Sequence, residues 1–159
     1  MNCMVIGTDH RFQEHDAGLE ALLRTWTESR FFEPLTAIAE EYHERLGKSS
    51  IAQRIAAERH VDWLNIDMTI QEKQEAGIFE EQSNRPGMFQ ANVTYRVLSD
   101  DIREEAWIRK MTQSISSGTT IVVCGYLHCA SLVQKLRALG HSVDQRIYLE
   151  SVPEIRCSQ

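Results

Sequence analysis

Residues 119–140, TTIVVCGYLHCASLVQKLRALG, decide the fold class of this chain. The run up to Cys124 is almost wholly apolar and β-branched, which is typical of a strand buried on both faces. The next segment has helical spacing, with apolar side chains at Leu132, Val133, Leu136 and Leu139. Gly140 stands where a helix commonly ends on a glycine. The stretch therefore predicts a buried strand followed by a helix.

A glycine-x-x-histidine tetrad, Gly125-Tyr126-Leu127-His128, lies between this strand and this helix. The start of the chain repeats the arrangement, because the short apolar run over residues 3–6 leads into Gly7-Thr8-Asp9-His10. Open α/β sheets bind their ligands at the carboxyl ends of their strands. The two tetrads therefore predict that His10 and His128 belong to a functional site at that edge.

The rest of the chain continues the alternation of strands and helices. Helices are predicted over residues 14–32, after a cap at Ser49 or Ser50, over 71–76, and to Ser117 after a cap at Ser99. Strands are predicted over 35–39, 61–66 and 143–149. The segment 35–39 also fits a helix, but the strand keeps the alternation unbroken. We expect one domain over residues 1–159, a three-layer α/β sandwich with a mostly parallel sheet of about five strands. Residues 69–97 are irregular, either a lid or a surface excursion, and 152–159 form a tail.

Composition narrows the class of protein. Hydrophobic residues make up 42% of the chain and charged residues 25%, as in an ordinary globular domain. A formal net charge of −6 gives no attraction to nucleic acid or to anionic membranes. No segment approaches the roughly 18 apolar residues of a membrane span, and a signal region is not evident. The four cysteines show no CxxC spacing, so reduced thiols and a cytoplasmic location are expected.

Carboxylates at two further strand ends complete a candidate metal site. Glu40 and Glu41 follow the strand predicted at 35–39, and Asp67 follows the strand at 61–66. Two imidazoles and one carboxylate leave an open position on Zn²⁺, Mn²⁺ or Co²⁺. Adjacent residues of a strand point to opposite faces, so Glu40 and Glu41 cannot both face the site. The candidate ligands are His10, His128, Glu41 and Asp67. The other histidines are interpreted as solvated, namely His15, His43, His60 and His141.

The same groups support catalysis without a metal. One histidine takes a proton from water, an acidic neighbour such as Glu41 or Glu40 orients it, and a cation stabilises the oxyanion. Arg103 is the candidate cation, and pairing with a carboxylate is its structural alternative. Asp9 either orients His10 or caps the turn. Tyr126 lines the pocket, binds a cofactor or packs beside the strand, and packing is the preferred interpretation.

Certain motifs are missing from the chain. It has no Gly-x-Ser-x-Gly elbow, no Walker motif and no Gly-x-Gly-x-x-Gly turn. These absences disfavour a serine hydrolase and a nucleotide-binding protein.

The chain resembles the TraB/Tiki branch of the erythromycin esterase/ChaN-like superfamily. The motifs that carry the resemblance are IGTDH at 6–10, REEAW at 103–107, and VCGYLH at 123–128 followed by LVQKLRALGHSV. The resemblance implies two tetrads facing each other across an α/β sheet. Tiki-type members are metal-dependent proteases, erythromycin esterase-type members hydrolyse an ester using a histidine, and ChaN binds haem. Where Tiki-type members often end the second or third strand on a glutamate, this chain has Asn65-Ile66-Asp67, with Glu40-Glu41 earlier.

We therefore expect a hydrolase of peptide or ester bonds with a two-histidine and carboxylate site, which acts either with a divalent metal ion or through histidine alone. The alternative is a non-catalytic small-molecule or haem-binding sensor domain. It is favoured by the absence of the strand-end glutamate of Tiki-type members and by a chain that looks shorter than theirs. A third interpretation is a structural module that binds a partner. The expected partner is a small-molecule or peptide substrate, with neither nucleic acid nor a membrane. A homodimer is a further alternative, for which the sequence does not locate an interface.

Overall fold

The computed structural model describes residues 2–28, 33–43, 48–78, 98–115 and 117–149. The strands are β1 (Asn2–Thr8), β2 (Leu35–Glu40), β3 (Asp62–Asn65), β4 (Thr119–Gly125) and β5 (Ser142–Tyr148). The helices are α1 (Ala17–Glu28), α2 (Ile51–Arg59), α3 (Ile70–Glu75), α4 (Leu98–Ser114) and α5 (Tyr126–Ala138), with a 3₁₀ turn at His10–Phe12. The predicted tail over 152–159, and the predicted irregular connection from residue 79 onward, lie outside the described residues.

All five strands are parallel, in the order β3-β2-β4-β1-β5. Every residue of β4 is buried, as the apolar run in its sequence predicts. The ambiguous segment 35–39 is a strand because it pairs with β4 on one side and β3 on the other. Long-range pairing thus decides between two conformations that local propensity leaves open.

Helices cover both faces of the sheet, which confirms the three-layer α/β class. Ile121 and Val123 of β4 face α1 and α2, whereas Val122 and Cys124 face α4 and α5. This split follows from the two-residue period of a strand. Among the described residues, no helix has both the length and the apolar character needed to cross a membrane.

The connections of adjacent strands leave the sheet on opposite faces. The connection after β1 runs through α1 on one face, and the one after β4 runs through α5 on the other. Between such strands a crevice opens at their carboxyl ends, which is where ligands bind in this class of fold. The topology therefore selects the ends of β1 and β4, together with the adjacent end of β2, as the place to look for a site.

The starts of α1, α4 and α5 differ from the sequence prediction. Helix α1 begins at Ala17, three residues after the predicted start at residue 14. Helix α5 begins at Tyr126 directly after Gly125, so His128 lies in its first turn and not in a loop. This early start requires Gly7, because a Cβ there would stand 2.7 Å from the Cβ of Cys129. Ser99 lies within α4 and does not precede it. Ser50 does cap α2, since its side chain accepts a hydrogen bond from the Gln53 N–H.

Candidate metal centre at the carboxyl edge of the sheet

Side chains from three strand ends and one helix meet at the carboxyl edge. His10 lies in the turn after β1, Glu41 directly follows β2, and Asp67 follows β3. Arg103 reaches the same place from α4, where it donates to both Glu41 Oε1 and Asp67 Oδ1. The structure therefore brings together four residues that the sequence nominates, and it adds His43 beside them.

Among the described residues, His10, Glu41 and His43 have ligand atoms within 4.8 Å of one another. His10 Nε2 lies 3.6 Å from Glu41 Oε1. Two metal bonds of about 2.1 Å at a tetrahedral angle would separate their ligand atoms by about 3.4 Å, so this pair fits a shared ion. The His43 side chain is 45% exposed, so this side of the group is open to solvent. The donor set of two imidazoles and a carboxylate suits Zn²⁺ or a similar divalent ion.

Gln13 determines which nitrogen of His10 is available. Its Nε2 donates to the Glu41 carbonyl at 2.9 Å, so its Oε1 is an acceptor. That oxygen lies 3.0 Å from His10 Nδ1, which makes Nδ1 the protonated nitrogen of a neutral ring. Nε2 then carries its lone pair on the side of Glu41. A carbonyl oxygen on the second nitrogen is the usual support of a metal-binding histidine.

His43 has the same kind of support from a carboxylate. Its Nδ1 lies 3.2 Å from Asp67 Oδ2, which leaves Nε2 of the neutral ring without the proton. The rings of His10 and His43 are tilted neighbours with centroids 5.3 Å apart. The sequence nominated Asp67 as a ligand. In the structure it contacts the candidate ligand His43 and is not itself part of the group formed by His10, Glu41 and His43.

Glu41 is fully buried and remains charged. Burial raises the pKa of its carboxyl, but the charge of Arg103, joined by that of His10 whenever that imidazole is protonated, outweighs burial and holds the pKa below its usual value. Its Oε2 accepts from the Gly125 N–H at 2.8 Å. A Cβ at Gly125 would lie 2.9 Å from His10 Nε2 and 3.3 Å from Glu41 Oε2. The glycine of the second tetrad therefore makes room for this histidine–glutamate approach.

Asp67 and Arg103 form the buried side of the site. Burial raises the pKa of Asp67, but the hydrogen bond from His43 and the charges of Arg103 and Lys73 hold it well below its usual value. Lys73 Nζ lies 2.9 Å from Asp67 Oδ2. Arg103 also packs over the ring of Trp107, with its Cζ 5.1 Å from the ring centroid. The candidate cation is thus paired with two carboxylates beside the imidazoles.

His128 lies in a separate buried cluster between α4 and α5. Its Nδ1 is 2.9 Å from Glu104 Oε1, and its ring packs against Trp107 with centroids 4.8 Å apart. Glu104 Oε2 accepts from Ser131 Oγ at 2.7 Å and lies 3.0 Å from Lys135 Nζ. The helical start at Tyr126 turns His128 toward α4. The second tetrad therefore contributes Gly125, and not His128, to the contacts around His10, Glu41 and His43.

The remaining nominated residues have other contacts. Glu40 points to the face opposite Glu41, as strand alternation predicts, and accepts from Ser50 and Trp63. Asp9 caps the turn after β1 and binds the Arg11 side chain, which lowers the pKa of Asp9. Tyr126 is half-buried at the start of α5.

Two residues of the site were not nominated from the sequence, namely His43 and Gln13. His43 follows Glu41 by two residues, a spacing that places both side chains on the same side of an extended segment. Gln13 follows His10 by three residues, a spacing that brings side chains together in a helical turn. Both signals are present in the sequence, but each is common in any chain.

Comparisons of the chain with protein-family models, with curated proteins and with solved structures found no match. The resemblance to the TraB/Tiki branch therefore depends on the motifs alone, and the function must be argued from the geometry of the site.

Proposed function

We propose that this protein is a hydrolase that binds a divalent metal ion through His10, Glu41 and His43. One observation supports this assignment above the others. Each imidazole engages an oxygen through Nδ1, Gln13 Oε1 for His10 and Asp67 Oδ2 for His43, which leaves Nε2 of each neutral ring free to bind a metal. Histidines that bind metal through Nε2 are held in this way, whereas solvated surface histidines need no such partner.

The charges around the group suit a bound cation. The pKa of Glu41 is held below its usual value because positive charge, that of Arg103 and that of His10 when its ring is protonated, outweighs the effect of burial. Asp67 stays ionised for a similar reason, so it keeps His43 in the tautomer that presents Nε2. The two carboxylates therefore keep the negative charge that suits a bound cation.

The site is open on one side. Glu41 is buried beneath the group, while the side chains of His10 and His43 are 38% and 45% exposed. Three protein ligands leave a coordination position for water or substrate, and a divalent ion there would make a bound water more acidic and polarise a carbonyl group. Arg103 lies beside Glu41 and adds positive charge near a developing oxyanion. The resemblance to TraB/Tiki and erythromycin esterase-type proteins supports a peptide or ester bond as the target.

The test begins with the metal content of protein purified without chelator or affinity-tag metal. We expect stoichiometric metal in the wild type and in His15→Ala, whose parent side chain is 72% exposed, and loss of metal in His10→Ala and His43→Ala. Panels of model esters and peptides are then screened with the same four proteins. Stoichiometric metal that persists in both His10→Ala and His43→Ala would contradict the proposed ligand set.

A second candidate is hydrolysis with His10 as general base and no metal. It is favoured by the 3.0 Å contact of His10 Nδ1 with Gln13 Oε1, which orients the ring in the absence of an ion and leaves Nε2 free to accept a proton. This mechanism predicts turnover by metal-free protein, lost in His10→Ala and kept in His43→Ala. Absence of turnover in every panel would instead favour the binding domain, and a Soret absorption band in the purified protein would identify haem as its ligand.

A further inference from the structure

The described sheet ends on β5, which has an open edge. All seven residues of β5 pair with β1 on one side, and β5 is the last strand in the sheet order. Most of its residues are exposed, with only Val143 buried and Tyr148 half-buried. Such an edge presents unpaired backbone N–H and C=O groups, and monomeric proteins usually keep edge strands short or covered.

Apolar side chains gather at the same edge. The large hydrophobic side chains most exposed in the described part of the chain are Ile70, Leu139, Ile147 and Leu149, at 59%, 58%, 54% and 48%. Three of these four lie on β5 or on its flanking turns. Ile147 lies on the same face as Val143, which packs into the core beneath α5. A grouping of this kind, unlike a single exposed leucine, indicates a surface that is covered.

The sequence of β5, SVDQRIY, complements itself when reversed about Gln145. If a second copy of the strand runs antiparallel with Gln145 opposite Gln145, then Asp144 faces Arg146 and Val143 faces Ile147. Each pairing occurs twice because of the two-fold axis. We infer that β5 is a homodimer interface, in which two copies of this chain join their sheets edge to edge through antiparallel β5 strands.

The cross-strand pairs agree with the faces of the sheet. Asp144 and Arg146 lie on the same face as Tyr148, which packs on the α1 side, so the two charges meet across the interface. Ile147 is covered by the partner's Val143 on the α5 side. In the same register Leu149 comes opposite the partner's His141, two residues from the partner's Leu139. The pairing thus covers Ile147 and brings Leu149 toward the partner's Leu139.

One carbonyl of the strand already has a side-chain partner. Arg137 Nη2 donates to the Val143 carbonyl at 2.7 Å. A carbonyl oxygen has two lone pairs, so this contact leaves capacity for a strand hydrogen bond. The inference does not depend on the proposed hydrolase function, because none of these residues belongs to the candidate metal centre.

Sedimentation velocity over a concentration series tests the inference on the full-length protein. We expect a dimer in the wild type. Asp144→Arg turns two attractive pairs into repulsive ones and should raise the dissociation constant roughly tenfold or more. The double variant Asp144→Arg/Arg146→Asp restores opposite charges and should restore the dimer. A monomeric wild type would overturn the inference. This holds whether the edge of β5 is then covered by other residues of the same chain or by solvent. A dimer that tolerates Asp144→Arg would overturn this interface.

Cross-linking checks the register independently. In a Cys157→Ser background, which removes the tail thiol, Gln145→Cys places two thiols opposite each other on the two-fold axis. Paired residues in an antiparallel ladder have Cα atoms about 5.5 Å or less apart, within reach of a disulfide. We expect mild oxidation to give a covalent dimer with Gln145→Cys and not with the matched exposed variant Ser142→Cys. Equal cross-linking of both variants would overturn the register.

Discussion

The side-chain amide of Gln13 contacts the His10 ring through its oxygen and the backbone of Glu41 through its nitrogen. Its Oε1 lies 3.0 Å from His10 Nδ1, and its Nε2 donates to the Glu41 carbonyl at 2.9 Å. The residue is almost fully buried, so these two bonds fix the amide orientation and, through it, the tautomer of His10. A single amide thus couples the ends of β1 and β2.

Replacing Gln13 by methionine should weaken metal binding without removing a ligand. Methionine fills a similar volume but accepts no strong hydrogen bond from His10 Nδ1. Loss of such supporting contacts typically costs 10- to 100-fold in metal affinity, and the unpaired Glu41 carbonyl adds about 1–3 kcal/mol of destabilisation. Competition titration with a chromogenic chelator measures the affinity. Wild-type affinity in a folded Gln13→Met protein would show that the amide does not position His10.

Gly125→Ala should displace His10 while leaving the backbone unstrained. The φ of Gly125 is −56°, which any residue adopts, but the new Cβ would lie 2.9 Å from His10 Nε2. We expect loss of bound metal with a destabilisation of about 1–3 kcal/mol from overpacking. Gly140→Ala is the matched control, because Gly140 has a φ of +83° and no atom lies within 4 Å of the place that its Cβ would take.

The control should show the opposite pattern. Alanine at the left-handed Gly140 costs roughly 1–2 kcal/mol of stability and leaves the metal content unchanged. Metal analysis and urea unfolding of both variants give the comparison. Full metal occupancy in Gly125→Ala would mean that the close approach is not required for binding.

Glu40 should make the protein less stable as the pH rises. Burial raises the pKa of its carboxyl from 4.5 to about 7, against the hydrogen bonds from Ser50 and Trp63. Because the folded-state pKa is the higher one, the folded state binds this proton more tightly, and its stabilisation is lost between about pH 4.5 and pH 7. At about 1.4 kcal/mol per pKa unit, the loss is roughly 3 kcal/mol.

Glu40→Gln removes this titration and keeps an oxygen that can accept from Ser50 and Trp63. The variant should therefore be more stable than the wild type at pH 8, by up to about 3 kcal/mol, with the difference shrinking toward pH 5. Urea unfolding of both proteins at the two pH values measures the change. A difference independent of pH would show that Glu40 does not titrate in this range.

Glu104 should matter for stability and not for metal binding. Its carboxylate joins His128 on one oxygen to Ser131 and Lys135 on the other. Glu104→Ala leaves these groups without their buried acceptor and should cost about 3–5 kcal/mol, whereas Ser131→Ala should cost about 1 kcal/mol. Denaturant unfolding measures both losses of stability. Metal analysis of the folded Glu104→Ala protein checks that metal binding is unchanged. Metal loss in a folded Glu104→Ala protein would link the two clusters.

The order of elements was predictable because it depends on local signals. The apolar run 119–124 is confirmed as part of β4, and segment 35–39 is confirmed as part of β2. The position of His10, Glu41 and Asp67 after three successive strands also follows from the sequence, since parallel strands bring their carboxyl ends to one edge. Hydrophobic periodicity and chain continuity suffice for these conclusions.

The second histidine of the candidate metal centre, which is His43 and not the nominated His128, was not predictable in the same way. Helix α5 begins directly after Gly125, and each residue of a helix turns the next side chain by about 100°. A shift of one or two residues in the helix start therefore redirects His128 from the strand ends to Glu104. His43 gains its place because Asp67, which follows β3, lies 3.2 Å from its Nδ1 and can accept its proton.

The sequence by itself determined an alternating α/β chain with glycine, histidine and carboxylate groups after its strands, because side-chain polarity and spacing act over a few residues. Only the tertiary structure decided the strand order β3-β2-β4-β1-β5 and the meeting of His10 with Glu41 across Gly125. Both depend on which distant strands pair and on the direction in which each side chain then points. Those choices minimise the free energy of the whole core and are not encoded in any one segment.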